Sequence, residues 1–294
     1  MNEMNVLLDI IKKSCVEISD LIRFSNSYDI GNETNHKNTS GDIPKILDEM
    51  SHNILKDEFE KCNLIRGIIS EEQEDIYLTK HTSAKYIISF DPLDGSSNIS
   101  VNISIGTIFC VYELNGESNA IKNGRDIVMA GYSLYGGSTE LVVATYKNVS
   151  HYGLNKSNEF VIMKDNIQIP NKQPFYSINE GYKHKWLDSR TANFIRIICT
   201  NRSLRYVGSL VADAHRTLLK GGVFIYPRDS NYRHGKIRLL YEAYPFAYIF
   251  EQCGGSSYGE NGNILDIPCP LNLHQPIPFI IGSKDDIELY ELIK

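Results

Sequence analysis

Residues 86–99 read YIISFDPLDGSSNI: an apolar, β-branched run that stops on Asp91-Pro92-Leu93-Asp94 and passes at once into Gly95-Ser96-Ser97-Asn98. Short β-branched and aromatic runs bounded by turn residues read as strands, which puts both aspartates at a strand end. Upstream, GIIS (67–70) leads in the same way into Glu71-Glu72, with Glu72 nineteen residues ahead of Asp91. Carboxylates at the ends of neighbouring strands can converge on one point, where they would repel and raise each other's pKa. A hard divalent cation resolves that conflict, because magnesium takes oxygen ligands from carboxylates, phosphate and water. Pro92 stiffens the turn and Leu93 can offer its carbonyl. Gly95, Ser96 and Ser97 would present N–H groups and hydroxyls suited to a phosphate oxygen. Each motif alone also has an ordinary reading, since adjacent glutamates are usually solvated and Asp-Pro and Asp-Gly are turn signals. Two such motifs at strand ends favour the metal.

Working outward, Leu7, Ile11, Cys15, Ile18 and Ile22 recur at steps of three and four and predict an amphipathic helix over about 5–23. A polar stretch over 24–42 predicts a functional or disordered loop. A second helix is expected over about 43–62, with Ile46, Met50, Ile54 and Phe59 on one face and Pro44 early. Strand-like runs then follow at 64–70, 85–90, 104–114, 127–136, 140–146 and 159–164. Pro170 and Pro174 mark a domain junction near 165–175. Beyond it, TANFIRIIC and SLVADAHRTLLKG read as helices, VFIYP as a strand, LLYEAYPFAYIFEQCGG as a helix closed by paired glycines, and PFIIGS as a last strand. Strands and helices mixed in both halves predict layered α/β structure.

The 294 residues are a length for about two domains. A net charge of −6 argues against a nucleic-acid partner, although the average conceals two poles. Residues 1–100 carry 10 Lys/Arg against 18 Asp/Glu, and residues 202–238 carry 8 against 2. No apolar run approaches the roughly 20 residues of a membrane span, and MNEMNVLLDIIKKSC lacks the features of a secretory signal. Six dispersed cysteines without a Cys-x-x-Cys pair suit a reducing cytosol. His215, like His36, His81, His151 and His234, reads as a packing or surface residue, because no Ser or Cys nucleophile motif accompanies it.

DPLDGSSNI resembles the signature of the class I fructose-1,6-bisphosphatases, within the lithium-sensitive, metal-dependent sugar phosphatases. SGDIPKILD (40–48), GTIFCVY (106–112), AGYSLYGGSTELVVAT (130–145), NEGY (179–182), RYVGSLVADAHRTLLKGGVFIYP (205–227), GKIRLLYEAYPFAYIFEQCGG (235–255) and IIGSKDD (280–286) are similar to further blocks of that family, in family order. The resemblance implies an α-β-α-β-α sandwich of two mixed-sheet domains, 1–168 and 169–294, and hydrolysis of the 1-phosphate of fructose 1,6-bisphosphate in gluconeogenesis. It implies two or three magnesium ions, with manganese as a substitute, on Glu71, Glu72, Asp91, Asp94, Glu242 and the Leu93 carbonyl. Asp48 and Glu72 would position and deprotonate the attacking water, and Asp42 would lie in a loop closing over the metals. Gly95, Ser96, Ser97 and Arg238 would hold the departing phosphate. Lys236 and the backbone near Ser209-Leu210 would meet the sugar. Asn179, Tyr182, Tyr206 and Tyr226 would hold the 6-phosphate, and Arg205 would reach that phosphate in a neighbouring subunit of a homotetramer or homodimer. Without the resemblance, Tyr206 and Tyr226 would read as core aromatics.

Departures from the family pattern are also visible. The chain starts almost at the first helix, so the family's first AMP-binding segment is expected to be missing. Lys85-Tyr86 match the family's phosphate-binding pair for AMP, but Glu113 stands where an arginine is usual, so AMP inhibition is expected to be weak. A 6-phosphate lysine aligns with Asn231, with Arg228 or Arg233 as substitutes, and Tyr28 is no secure match for the loop tyrosine. Sedoheptulose-1,7-bisphosphatase is the alternative enzyme and a non-catalytic sugar-phosphate sensor the alternative class. Asn98 and the string RYVGSLVAD favour the fructose enzyme, and the full set of carboxylates argues against the sensor.

Overall fold

The structure is a computed structural model that describes residues 2–24, 46–114, 120–146, 148–171 and 173–293. Asp42, Tyr28, Pro44 and residues 25–42 of the expected loop therefore lie outside the described residues.

Two helices open the chain, α1 (Glu3–Arg23) and α2 (Ile46–Lys61). Asn2 caps α1 by accepting from the Met4 N–H, and Leu7, Ile11, Cys15 and Ile18 form its buried stripe. Eight strands follow: β1 (Ile65–Ser70), β2 (Tyr77–Leu78), β3 (Tyr86–Asp94), β4 (Ile105–Glu113), β5 (Ile127–Tyr135), β6 (Thr139–Thr145), β7 (Asn148–Leu154) and β8 (Phe160–Lys164). They build one sheet in the order β2-β1-β3-β4-β5-β6-β7-β8, antiparallel except for the β1–β3 pair. The remainder is β9 (Phe175–Ser177), α3 (Ser189–Ile198), β10 (Ser203–Leu204), α4 (Leu210–Lys220), β11 (Val223–Tyr226), β12 (Ile237–Arg238), α5 (Tyr244–Gln252), β13 (Gly255–Tyr258), β14 (Pro276–Ile277), β15 (Phe279–Ser283) and α6 (Lys284–Leu292). A second mixed sheet has the order β10-β9-β11-β15-β13, and β12 pairs with β14.

Period-two alternation sets the layers. On the first sheet, Ile68, Ile88 and Phe109 face α1 and α2, whereas Ile69, Ile87 and Ile108 face α4 and α5. On the second sheet, Phe224 and Ile281 share that central core, while Val223, Ile225 and Ile280 pack on α3 and α6. The result is an α-β-α-β-α sandwich in two domains, as the resemblance implied. Strand β3 is buried at every position, which explains its uninterrupted apolar run.

The central layer is the tightest joint. A π-helical turn, Leu239–Ala243, feeds α5, and the whole span 239–250 is buried. Its Leu240 carbonyl accepts from Ser89 Oγ of β3 at 2.8 Å and from Tyr112 Oη of β4 at 2.6 Å. Each large apolar side chain buried there contributes about 1.5–3 kcal/mol.

Two local readings differ from expectation. On α2 the buried stripe is Leu47, Ser51, Leu55 and Phe59, and Met50 is exposed. Hydropathy favours the neighbouring, more apolar stripe. The helix instead turns Asp48, Ser51 and His52 inward, because that face meets the carboxylate-bearing end of β1, where His52 Nδ1 lies 2.8 Å from Ser70 Oγ. Strand β7 was not expected, since NVSHYGL is rich in polar residues. It pairs with β6 from Thr145↔Asn148 to Glu140↔Gly153 and turns Ser150 and His151 into side-chain hydrogen bonds. No helix among the described residues is long and apolar enough to cross a membrane.

Candidate active site

The parallel pairing of β1 with β3 brings their acidic ends side by side. The Glu71 N–H donates to the Phe90 carbonyl at 3.2 Å, and the Glu72 N–H donates to Ser70 Oγ at 3.2 Å. At the end of β3 the Leu93 N–H donates to Asp91 Oδ1 at 2.9 Å, closing a tight turn. The Pro92 carbonyl is held by Thr107 Oγ1 at 2.9 Å. Asp94 Oδ2 accepts from the Val211 N–H at 3.1 Å, so the first turn of α4 fixes that carboxylate. Glu242 arrives from the π-helical turn, a geometry often retained at functional sites.

Carboxylate oxygens of Asp91, Asp94 and Glu242, all buried, lie within 4.8 Å of one another. Burial, reinforced by the charges of Glu71, Asp94 and Glu242, holds the Asp91 carboxyl well above the ordinary carboxylate range. Burial likewise pushes Asp94 up to about 7 and Glu242 up to about 8, against the opposing pull of the Val211 N–H and of Arg238 respectively. Three buried carboxyl groups at such a separation have the donor chemistry of a hard divalent cation site, and these residues could hold a metal ion. Arg238 reaches the same floor, with Nη2 2.7 Å from Glu71 Oε1.

These groups line one cleft of about 470 Å³. Asp48, Glu71, Glu72, Asp91, Leu93 and Asp94 form its acidic side. Arg238 and Glu242 join that acidic side, Gly95, Ser96 and Ser97 form the rim, and Tyr206, Tyr226 and Lys236 the far wall. Gly95 adopts φ +84°, a left-handed turn that starts the short 3-10 segment Ser96–Val101. Tyr206 and Tyr226 also border a smaller side pocket that contains Asn179 and Tyr182. Burial raises both phenols to about 12, so they remain neutral donors. Of the described residues singled out for the substrate, Arg205 borders neither pocket, and neither do Arg228, Asn231 and Arg233. Arg205 is exposed, with its guanidinium over the Phe175 ring and Nη1 donating to the Leu204 carbonyl. Arg228 lies 3.4 Å from Glu260.

Asp213, Ser100 and Gly208 also line the cleft, and no motif in the sequence marks them. Asp213 is fully buried and accepts from the N–H groups of Val207 and Gly208 and from Ser177 Oγ, shaping the loop ahead of α4. An aspartate in the first turn of a helix is ordinary dipole chemistry and gives no functional signal in the sequence.

Comparison with known proteins agrees with this geometry. The family model described as fructose-1,6-bisphosphatase, N-terminal domain, matches residues 1–165, and its C-terminal counterpart matches residues 169–294. The chain belongs to the fructose-1,6-bisphosphatase family. It is 38% identical to the class 1 fructose-1,6-bisphosphatase of Persephonella marina, over 97% of this chain and 90% of that one. It is also 38% identical to fructose-1,6-bisphosphatase isozyme 2 of Rattus norvegicus, over 98% and 88%. Among solved structures, the holo form of the Leishmania major fructose-1,6-bisphosphatase superposes with a TM-score of 0.94 at 35% identity, covering 99% of this chain and 94% of that one.

Proposed function

We propose that this chain hydrolyses the 1-phosphate of fructose 1,6-bisphosphate, giving fructose 6-phosphate and phosphate, as a cytoplasmic enzyme of gluconeogenesis. The observation that carries the reading is the buried Asp91–Asp94–Glu242 cluster at one end of a cleft whose far wall holds neutral tyrosines. Phosphate-monoester hydrolysis is among the slowest uncatalysed reactions. The protein must therefore balance the charge of the phosphoryl group and supply a nucleophilic water.

Glu71, Glu72, Asp91, Asp94, Glu242 and the Leu93 carbonyl are assigned as ligands for two or three magnesium ions, with manganese as a substitute. Bound there, such ions supply charge neutralisation and acidify water. Asp48 and Glu72 orient the attacking water and take its proton, and Asp42 belongs to the closing loop. The Gly95 N–H, Ser96, Ser97 and Arg238 hold the transferred phosphoryl oxygens, where the planar guanidinium gives paired, charge-assisted bonds. Lys236 meets the sugar. Asn179, Tyr182, Tyr206 and Tyr226 grip the phosphate that stays, so binding energy from a non-reacting group orients the reacting one. Arg205, exposed on its own subunit, is assigned to a neighbour's 6-phosphate in a homotetramer or homodimer. The domain division is placed near residue 168, and neither a nucleic acid nor a membrane is a partner.

Magnesium-dependent phosphate release over a panel of sugar bisphosphates tests the reading. Fructose 1,6-bisphosphate should turn over fastest, and Glu72→Gln should abolish release. A clear preference for sedoheptulose 1,7-bisphosphate would reassign the substrate, and release unchanged in Glu72→Gln would overturn the role of that carboxylate.

A further inference from the structure

A second convergence of ligating atoms lies on the first sheet, outside the cleft. Glu140 of β6, His151 of β7 and His215 of α4 each offer one atom, all within 4.8 Å of one another. His151 Nε2 lies 2.6 Å from Glu140 Oε2, and His215 Nε2 lies 3.3 Å from the same oxygen. The second oxygen of Glu140 and the second ring nitrogen of His215 are already held. Ser138 Oγ donates to Glu140 Oε1 at 2.7 Å, and Tyr132 Oη lies 2.9 Å from His215 Nδ1. We propose that Glu140, His151 and His215 form a binding site for a single zinc-type divalent transition-metal ion, with solvent as the remaining ligand.

The donor set argues for that class of ion. Two imidazoles and one carboxylate suit zinc or cobalt, whereas magnesium prefers an all-oxygen set such as the cleft carboxylates. Zinc bonds of about 2.0–2.1 Å in tetrahedral array hold ligand atoms roughly 3.3 Å apart. The His215–Glu140 separation already has that value, and the His151–Glu140 pair needs to open by under about 1 Å. The outer partners have the form that orients metal ligands: a hydroxyl on the second ring nitrogen of His215 and another on the second carboxylate oxygen. Side-chain exposures of 7%, 13% and 19% for His151, His215 and Glu140 leave the group sheltered yet reachable from solvent.

The site would pin the middle of α4 to the β6–β7 hairpin. That is the helix whose first turn holds Asp94 through the Val211 N–H, so occupancy would brace the cleft from behind. The assignment is independent of the function proposed for the cleft.

Cobalt(II) titration in excess magnesium tests it, because four-coordinate cobalt has a strong visible d–d band that an all-oxygen octahedral site lacks. The parent protein and Glu242→Gln should each bind one equivalent with this band and show a cobalt-dependent rise in melting temperature. Glu140→Gln and His151→Gln should lose the band. Tyr132→Phe, which keeps all three ligands, should weaken binding by about 10–100-fold and serves if the ligand variants fail to fold. The proposal is overturned if the parent shows no such band, or if the folded variants bind cobalt like the parent. In that case the three side chains are only a hydrogen-bonded packing group.

Discussion

Replacing Glu242 with glutamine should stabilise the metal-free protein while destroying its activity. Glu242 is buried within 4.8 Å of two other carboxylates. Burial raises its pKa from 4.5 to about 8. Between those two values the folded protein keeps the proton that the unfolded chain has already released. Stability is therefore complete below about pH 4.5 and is lost as pH rises through about 8. At about 1.4 kcal/mol per unit, the cost carried by this group near pH 8 is on the order of 4 kcal/mol. Glutamine keeps the shape and an oxygen to accept the Arg238 N–H, and it removes the charge. In chelator at pH 8 the variant should melt roughly 10 °C above the parent, taking about 2–4 °C per kcal/mol for a chain of this size. The gap should close toward pH 5. Phosphate release should fall by at least about a hundredfold. Added magnesium should raise the parent's melting temperature more at pH 8 than at pH 6, because binding there displaces fewer protons. A variant that melts at or below the parent at pH 8, or a gap that does not change with pH, would refute the claim that this cluster is held under electrostatic strain.

Three further outcomes are expected. Asp213→Ala should cost about 3–5 kcal/mol, since it strips a buried charged acceptor from Arg216 and from the 207–208 amides; its KM should rise more than its kcat falls, and a melting temperature equal to the parent's would contradict this. In Gly106→Ala the new methyl would stand 2.4 Å from the Ser133 carbonyl and 2.8 Å from Val211, the residue that holds Asp94. Overpacking there should cost about 1–3 kcal/mol in a denaturant melt, and an unchanged midpoint would show that the strand and helix are not in close contact. Lys85 sits 2.9 Å from Glu3 and 3.1 Å from Glu113, so its charge is already balanced by carboxylates that would repel a phosphate. Steady-state assays should show no half-inhibition by micromolar AMP; such inhibition would remove Glu113 as the reason for weak nucleotide binding.

Strands were legible where burial on both faces left an apolar run, as in β3, and the acidic ends of β1 and β3 were legible because both followed such runs. The face of α2 was not, because Asp48, Ser51 and His52 turn inward to serve the site against their own hydropathy. Strand β7 was hidden for a related reason, as its inward polar residues find partners on β6 and at Asp165. The meeting of His151 and His215 could not be read from either neighbourhood, since one lies on a hairpin and the other on a helix 64 positions later. Asp213 illustrates the same limit. What makes it important is a set of backbone donors, which no side-chain pattern announces.

The Leu240 carbonyl, gripped by Ser89 and Tyr112, has a mechanical consequence. The acidic group is split between halves of the chain, with Asp91 and Asp94 from one and Glu242 from the other. Swinging the sheets apart would break both grips and tear open the largest core. The joint is built as a weld rather than a hinge, and it fixes Glu242 against Asp91 and Asp94. The two domains should likewise unfold as one unit: a chain cut near residue 168 would leave each piece with half of a shared core, and neither should melt cooperatively alone.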